Sequence, residues 1–512
     1  MSGVEPPASS AERSPGVQTP RGGNAKPGLW VSTTYFAEGY PYSIVNNLAE
    51  VMFKEMGASL QVIGLTSLLH LPWNLKFLWA PLVDQIETKR RWLVWVEVAL
   101  TIGLVALSLS ASGSHLLVAA AALFVALAVL AATHDIAIDG YYLEALDTAG
   151  QSRFVGFRAM AYKAASLLVR GPIVMLIGWV GWRLGLAAAA AVMAALTIVH
   201  WRVLPGIETR KRPWLAFVRS AIRPRVLTVG AALAAAIILA RRFGHCPSWL
   251  SSLRQALPSM PWLAELSAGS WIAIGLLAVL ALGLAVRKPL ARRMALRESA
   301  YAAAFVDFMA RPMVGRVLAF VVLFRAGESF LQKMKWPFLR DVLHLSLDQY
   351  GFANGTLGVV ASFLGTFAGG WLISHQGLRR WIWPFALMQN VLHLLYMGLA
   401  IAGARMAVGL LPIGLVIMLE NFGEGLGTAV FMVYLMRSCD PSHKASHMAI
   451  LTALMSVSFT VAGVASGFLA KAMGFAWFFG FTFLAALPGM VLIAFLPNID
   501  GPSQRAQGSP SS

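Results

Sequence analysis

The sequence predicts an all-α polytopic membrane protein of two related six-helix halves, on the strength of its composition, its loop charges and an internal repeat. Of its 512 residues, 58% are hydrophobic and 12% are charged, about half the charged fraction of an ordinary soluble domain. A soluble fold could not bury so much apolar surface, whereas a bilayer surrounds it. The apolar residues also fall into runs of about the length that crosses a hydrocarbon core. Examples are 93–109, 116–133, 184–199, 271–286, 381–402 and 475–496. A large soluble enzyme with a single anchor is excluded.

The net charge of +18 is unevenly placed. Lys89, Arg90 and Arg91 form one basic loop. Arg210, Lys211, Arg212, Arg219, Arg223 and Arg225 form a second, and Arg287, Lys288, Arg292, Arg293 and Arg297 a third. Arg379 and Arg380 mark a fourth, while the loops at 110–115 and 178–182 carry almost no charge. This is the positive-inside bias, which predicts cytoplasmic termini and an even number of spans, and assigns the basic charge to the membrane instead of to nucleic acid. Cys246 and Cys439 lie too far apart to form a disulfide framework or a metal-ligand motif. Residues 1–27, rich in Pro, Ser and Gly, read as a disordered cytoplasmic tail and not a signal peptide, and 498–512 as a second tail.

Fourteen spans are expected. Six lie near 28–50, 60–83, 92–111, 116–145, 154–177 and 183–203, giving a first half over 28–203. A basic connector over 204–315 holds two extra spans near 226–243 and 269–286, and 301–309 reads as a short amphipathic surface helix. The last six lie near 316–343, 349–374, 381–402, 407–436, 446–471 and 475–496, giving a second half over 316–497. The halves match at a nearly constant offset: Gly64 with Gly355, Tyr142 and Leu143 with Tyr434 and Leu435, Asp147 with Asp440, and Arg90 and Arg91 with Arg379 and Arg380. Equal, even-numbered blocks give a parallel repeat, with the site expected near the midplane between them.

Ionisable side chains inside spans cost a few kcal/mol each, so their placement is informative. Glu38 lies in the first span of the twelve-span core, Asp135 and Asp139 in the fourth, Arg325 and Glu328 in the seventh, and Glu420 and Glu424 in the tenth. Asp135/Asp139 and Glu420/Glu424 are i,i+4 pairs, each on one helix face. Two carboxylates on one face in a low dielectric repel, and a proton on one relieves the repulsion. Glu38, Asp135, Asp139, Glu328, Glu420 and Glu424 are therefore the candidates for proton coupling. The plainer alternative is that these acids form structural ion pairs with Arg158, Lys163, Arg170 or Arg325.

Candidates for binding a carboxylate or phosphate solute are Lys76, Lys163, Arg170 and Arg325, with Lys333 and Lys335 further along the seventh span. Lys163 and Arg170, seven apart, are expected on one helix face. Tyr35, Tyr40, Trp73 and Tyr162 offer rings for stacking, and Asn421 a polar contact. Pro41, Pro72, Pro172 and Pro337 interrupt core helices and permit bending.

Several motifs give the chain a family resemblance. They are Tyr35, Phe36, Ala37, Glu38, Gly39, Tyr40 and Pro41; Lys76 to Asp84, followed by Arg90, Arg91 and Trp92; Asp135 to Gly140; Arg325 to Glu328; and Glu420 to Ala429. In this order, across about 30 to 470, the chain resembles the AmpG-like branch of the major facilitator superfamily, which includes muropeptide permeases and is related to acetyl-coenzyme A transporters. The resemblance implies that the first and fourth helix of each half line a central cavity, so the acids above fall on all four cavity helices. It also implies import of an organic solute, for example an anhydro-muropeptide, across the bacterial inner membrane, with the proton gradient as energy source. Asp84, Lys89, Arg90 and Arg91 sit at the superfamily's loop motif after the second helix, which implies a gating role. A monomer is expected, with a small solute, protons and lipids as partners.

Two other function classes are weighed. An intramembrane enzyme could use His134 with Asp135 and Asp139 as a metal site or general base. The sequence has no second His or Cys cluster at ligand spacing and no Gly-rich phosphate loop, so neither metal nor cofactor is expected. A transport-fold sensor that binds without translocating is the other.

Overall fold

The computed structural model describes residues 27–76, 79–111, 116–206, 213, 300–311, 313–440, 444–497 and 499. Both predicted tails and the two extra spans of the connector lie outside the described residues. The described chain makes twelve helical passes. Pass one runs from Pro27–Ser43 through a π-helical turn, Ile44–Leu48, into Ala49–Glu55. Pass two joins Leu60–Leu65, a 3-10 turn at Thr66–His70, Leu71–Leu75 and Ala80–Gln85. Passes three and four are the continuous helices Lys89–Ser110 and Leu116–Ala145. Pass five is Thr148–Leu168 with a π-helical turn at Val169–Ile173; the helix Val174–Val203 completes it, reverses at Gly181 and forms pass six.

The second half follows the same plan. Ala300–Ala310 precedes pass seven, which is Val314–Leu323 and Ala326–Asp341. Pass eight is Leu347–Tyr350, a π-helical stretch Gly351–Gly358 and Val359–Gln376. Pass nine is Leu378–Val391 and His393–Gly403, and pass ten is Leu410–Arg437. Lys444–Ile493 supplies passes eleven and twelve, reversing at Gly474. Gly181 and Gly474 stand at matching places in the repeat, with φ of 82° and 75°. A β-carbon makes that conformation costly, so glycine allows both reversals without an intervening loop.

Seven helical stretches are long and apolar enough to cross a bilayer unaided, and two of these hold a reversal. Passes one, two and seven fall short because turns interrupt them and they carry polar residues. Their exposed backbone groups need partners from the neighbouring helices, as in other broken membrane helices. At the ends of the passes, side chains take over that task. The Thr88 hydroxyl accepts from the Arg91 N–H at 3.2 Å, and the Asp147 carboxylate from Gly150 at 2.8 Å. Outward-facing Trp95, Ile102, Phe363, Phe367 and Trp371 are 46–73% exposed, an apolar surface suited to lipid.

One side of the molecule carries Lys89, Arg90, Arg91, Arg202, Arg379, Arg380 and Arg437, and is called the basic face below. The halves pack together from mid-depth to the opposite face. There pass two crosses pass eleven, pass five crosses pass eight, and the far end of pass one meets that of pass seven. Backbones approach closely at these crossings. A β-carbon at Gly64 would lie 2.9 Å from the Val464 carbonyl oxygen, and one at Gly355 would collide with the Arg170 carbonyl. Gly64 and Gly355, matched in the sequence repeat, thus occupy equivalent crossings. Three ion pairs add to the seam: Lys54–Asp341 at 2.6 Å, Arg340–Glu55 at 3.0 Å and Lys333–Glu50 at 2.9 Å. These crossings lie away from the basic face, which leaves the basic side of them as the place for the central cavity that the family resemblance implies.

Candidate functional site

Two polar clusters lie on the passes expected to line that cavity, one in each half. In the first half, pass one contributes Tyr35 and Glu38, pass two Lys76, pass four Asp135 and Asp139, and pass five Arg158. Carboxylate oxygens of Glu38, Asp135 and Asp139 lie within 4.8 Å of one another. Lys76 Nζ donates to Asp135 Oδ2 at 2.5 Å, and Arg158 donates to Asp139 Oδ1 at 2.8 Å. The Tyr35 hydroxyl donates to the same Asp139 oxygen at 2.8 Å, and the Arg158 guanidinium lies over the Tyr35 and Tyr142 rings. Glu38 forms no ion pair among the described residues, and its Oε2 is buried without a hydrogen-bond partner.

The second cluster is more enclosed. Glu420 Oε2 accepts from Lys335 Nζ at 2.6 Å, from Asn421 at 3.0 Å and from the Tyr396 hydroxyl at 3.3 Å. Gln332 bridges Glu328 Oε1 and Glu420 Oε1 at 2.5 and 3.2 Å, and His393 Nε2 lies 3.3 Å from Glu328 Oε2. Glu424 is held separately by Arg325 at 2.8 Å, Ser362 at 2.6 Å and Thr428 at 2.9 Å. Across the cavity, Lys163 is exposed and within electrostatic reach of Glu424.

Comparison with known proteins places this geometry. The chain is 24% identical to the anhydromuropeptide permease of Escherichia coli K12 over 90% of its own length and 77% of that protein's. It is 22% identical to a putative transporter, AmpG 4, of Rickettsia felis over 90% of this chain and 93% of the relative. A peptide transporter of the POT type crystallised with sulfate superposes with a TM-score of 0.63 at 15% identity, covering 93% of this chain and 95% of the other. A D-xylose–proton symporter superposes with a TM-score of 0.57 at 12% identity, covering 93% and 98%. This is a membrane transporter of the major facilitator fold, similar to the AmpG permeases. No family model matches the chain.

In this AmpG-like chain several expectations need correction. Asp135 and Asp139 lie close together as expected, but each also has its own cation, Lys76 and Arg158; the carboxylate left over is Glu38. Glu420 and Glu424 are likewise neutralised separately. Tyr40 does not face the cavity: it is 0% exposed and donates its hydroxyl to the Ala189 carbonyl of pass six at 3.0 Å. Lys163 stands in the regular helix Thr148–Leu168 and Arg170 in the π-helical turn Val169–Ile173 that continues it. His134 does not share a site with Asp135 and Asp139. Its Nε2 lies 3.2 Å from Glu97 Oε1, which also pairs with His200 Nδ1 at 2.6 Å, all three buried between passes three, four and six.

Trp73 stacks on His70 and meets Tyr42 edge-on, and the Tyr162 ring lies tilted 5.7 Å from that of Tyr42. Lys89 pairs with Asp84 and passes through the space left by Gly140, where a β-carbon would lie 2.7 Å from its Cε. Arg90 donates to the Trp201 carbonyl, and Arg91 pairs with Glu87 at 2.7 Å. The motif thus ties passes two, three, four and six of one half together. Sequence reasoning missed Glu50, Gln332, His393 and Tyr396; of these, Glu50 and Gln332 carried a signal, as polar residues inside passes one and seven, both interrupted.

Proposed function

We propose that this transporter is a proton-coupled importer of a polar, anionic organic solute, such as a muropeptide-like wall fragment, working as a monomer by alternating access in a bacterial inner membrane. The observation that carries the reading is the charge count around Glu38. Three carboxylates share one site with two cations, Lys76 and Arg158. In a low dielectric the excess negative charge is costly, and one proton removes it. A single excess charge suits a proton better than a divalent cation, which would overcompensate. With the basic face cytoplasmic, as the positive-inside bias requires, both termini are cytoplasmic and the cavity opens inward. Lys163 and Arg170 supply the cationic groups that draw an anion into it.

The relatives' names support a wall fragment as cargo, and the symporter fold supports proton coupling. The test is uptake of anhydro-muropeptide into proteoliposomes. An inward proton gradient should drive accumulation, and an uncoupler should abolish it; accumulation indifferent to both would reject coupling. Binding without counterflow would instead favour the sensor reading.

A further inference from the structure

A small cavity lies on the closed part of the seam, beside the second acid cluster, with which it shares Gln332, and has room for a few water molecules. It is lined by Asn46 and Glu50 of pass one, Arg170 of pass five, Gln332 and Lys333 of pass seven, and Asn354 of pass eight. Lys333 is committed to Glu50 at 2.9 Å. Arg170 is half-buried and forms no ion pair among the described residues, although it acts electrostatically on Glu50 and Tyr350. Asn354, 1% exposed, donates Nδ2 to the Tyr350 hydroxyl at 3.0 Å, and its Oδ1 is buried with no hydrogen-bond partner. An unmade bond of this kind forfeits about 1–3 kcal/mol, and a guanidinium away from bulk water without an acid is unfavourable too. A cation and a hydrogen-bond acceptor, both unused, therefore line one water-sized space.

We propose that this cavity is a carboxylate subsite. Arg170 pairs with a carboxylate of the solute, and Asn354 Oδ1 accepts from the amide N–H beside it. The ligand class is the end of a peptide or of an N-acylated amino acid. The proposal rests on the anionic-carrier reading and sharpens it, because it fixes which part of the solute reaches the closed end of the cavity. It also joins binding to opening: a carboxylate beside Arg170 competes with Glu50 for Lys333, and so weakens one of the three ion pairs across the seam.

The test uses the full chain in detergent and three small probes: N-acetylalanine, its amide N-acetylalaninamide, and propionate. Thermal unfolding should show stabilisation by N-acetylalanine, weaker stabilisation by propionate, and none by the amide. Arg170→Gln should weaken N-acetylalanine binding by about tenfold or more, as expected for a charge-assisted hydrogen bond, and Arg170→Lys should retain part of it. Asn354→Ala should erase the difference between N-acetylalanine and propionate. Glu50→Gln should tighten binding of both carboxylates by freeing Lys333, an outcome that decides the matter even if Arg170→Gln does not fold. Equal effects of acid and amide, no effect of either, or undiminished binding in Arg170→Gln would overturn the subsite. Proton-driven uptake without this stabilisation rejects the subsite alone; stabilisation without uptake rejects the carrier reading alone.

Discussion

At the scale of single residues, the distinction that matters is between acids that own a cation and acids that do not. Glu38→Gln removes the carboxylate without an ion pair, so solute exchange between the two sides of the membrane should persist while proton-driven accumulation is lost. Counterflow measured beside gradient-driven uptake separates the two, and intact accumulation would remove Glu38 from the coupling role. Glu420 should behave differently. Its partner Lys335 is 1% exposed and the acid itself 0%, so Lys335→Met strands a buried charge and should cost about 3–5 kcal/mol of stability. Adding Glu420→Gln should recover most of that loss in thermal unfolding; a double variant no more stable than the single one would contradict the assignment. The sequence disclosed which acids lie inside spans, because charge in an apolar run is conspicuous. It offered Arg158 and Arg325 as partners, which pair with Asp139 and Glu424, but not the pairing of Lys335 and Gln332 with Glu420, which stands on another helix. Tyr40 and His134 were misassigned for one reason: position along a helix was legible, but the direction each side chain faces was not.

At the scale of helices, legibility tracked continuity. The long apolar helices of passes three, four and ten stand out by hydropathy, whereas passes one, two and seven are assembled from pieces whose joints no periodicity marks. The π-helical turn at Val169–Ile173 in pass five is such a joint. The crossings on the seam depend on residues without side chains. A β-carbon at Gly467 would collide with the Leu60 carbonyl, where pass eleven meets pass two. Gly467→Leu should therefore wedge the seam apart on the face opposite the basic one without unfolding either half. Thiol labelling of cysteines placed at positions 58 and 344, on that face, should quicken in this variant, while the unfolding temperature falls only modestly. Unchanged labelling would mean that the crossing relaxes locally and does not govern closure.

At the scale of the whole molecule, two halves matched in sequence meet through equivalent crossings, and this arrangement is what a two-state carrier requires. Gly64 and Gly355 were legible as a repeated pair before their contacts were known, because a parallel repeat places matching residues at matching distances from its axis. The ion pairs across the seam were not legible: Lys54, Glu55, Arg340 and Asp341 look like ordinary charges at helix ends. Their energetic role is necessarily small. Partly exposed pairs contribute about 0.2–1 kcal/mol each, so Lys54–Asp341 and Arg340–Glu55 bias the closed seam without locking it. Removing both with Lys54→Gln and Arg340→Gln should shift the equilibrium by about 1 kcal/mol, a roughly fivefold change in the ratio of states. Spin labels at the far ends of passes one and seven should then report a second, longer distance whose population grows in the double variant. The residual grip of Lys333 on Glu50 and of the glycine crossings should keep both states populated. A distance distribution identical to the unmodified protein would show that these pairs are ornamental to closure, and that backbone packing alone sets the balance between the two states.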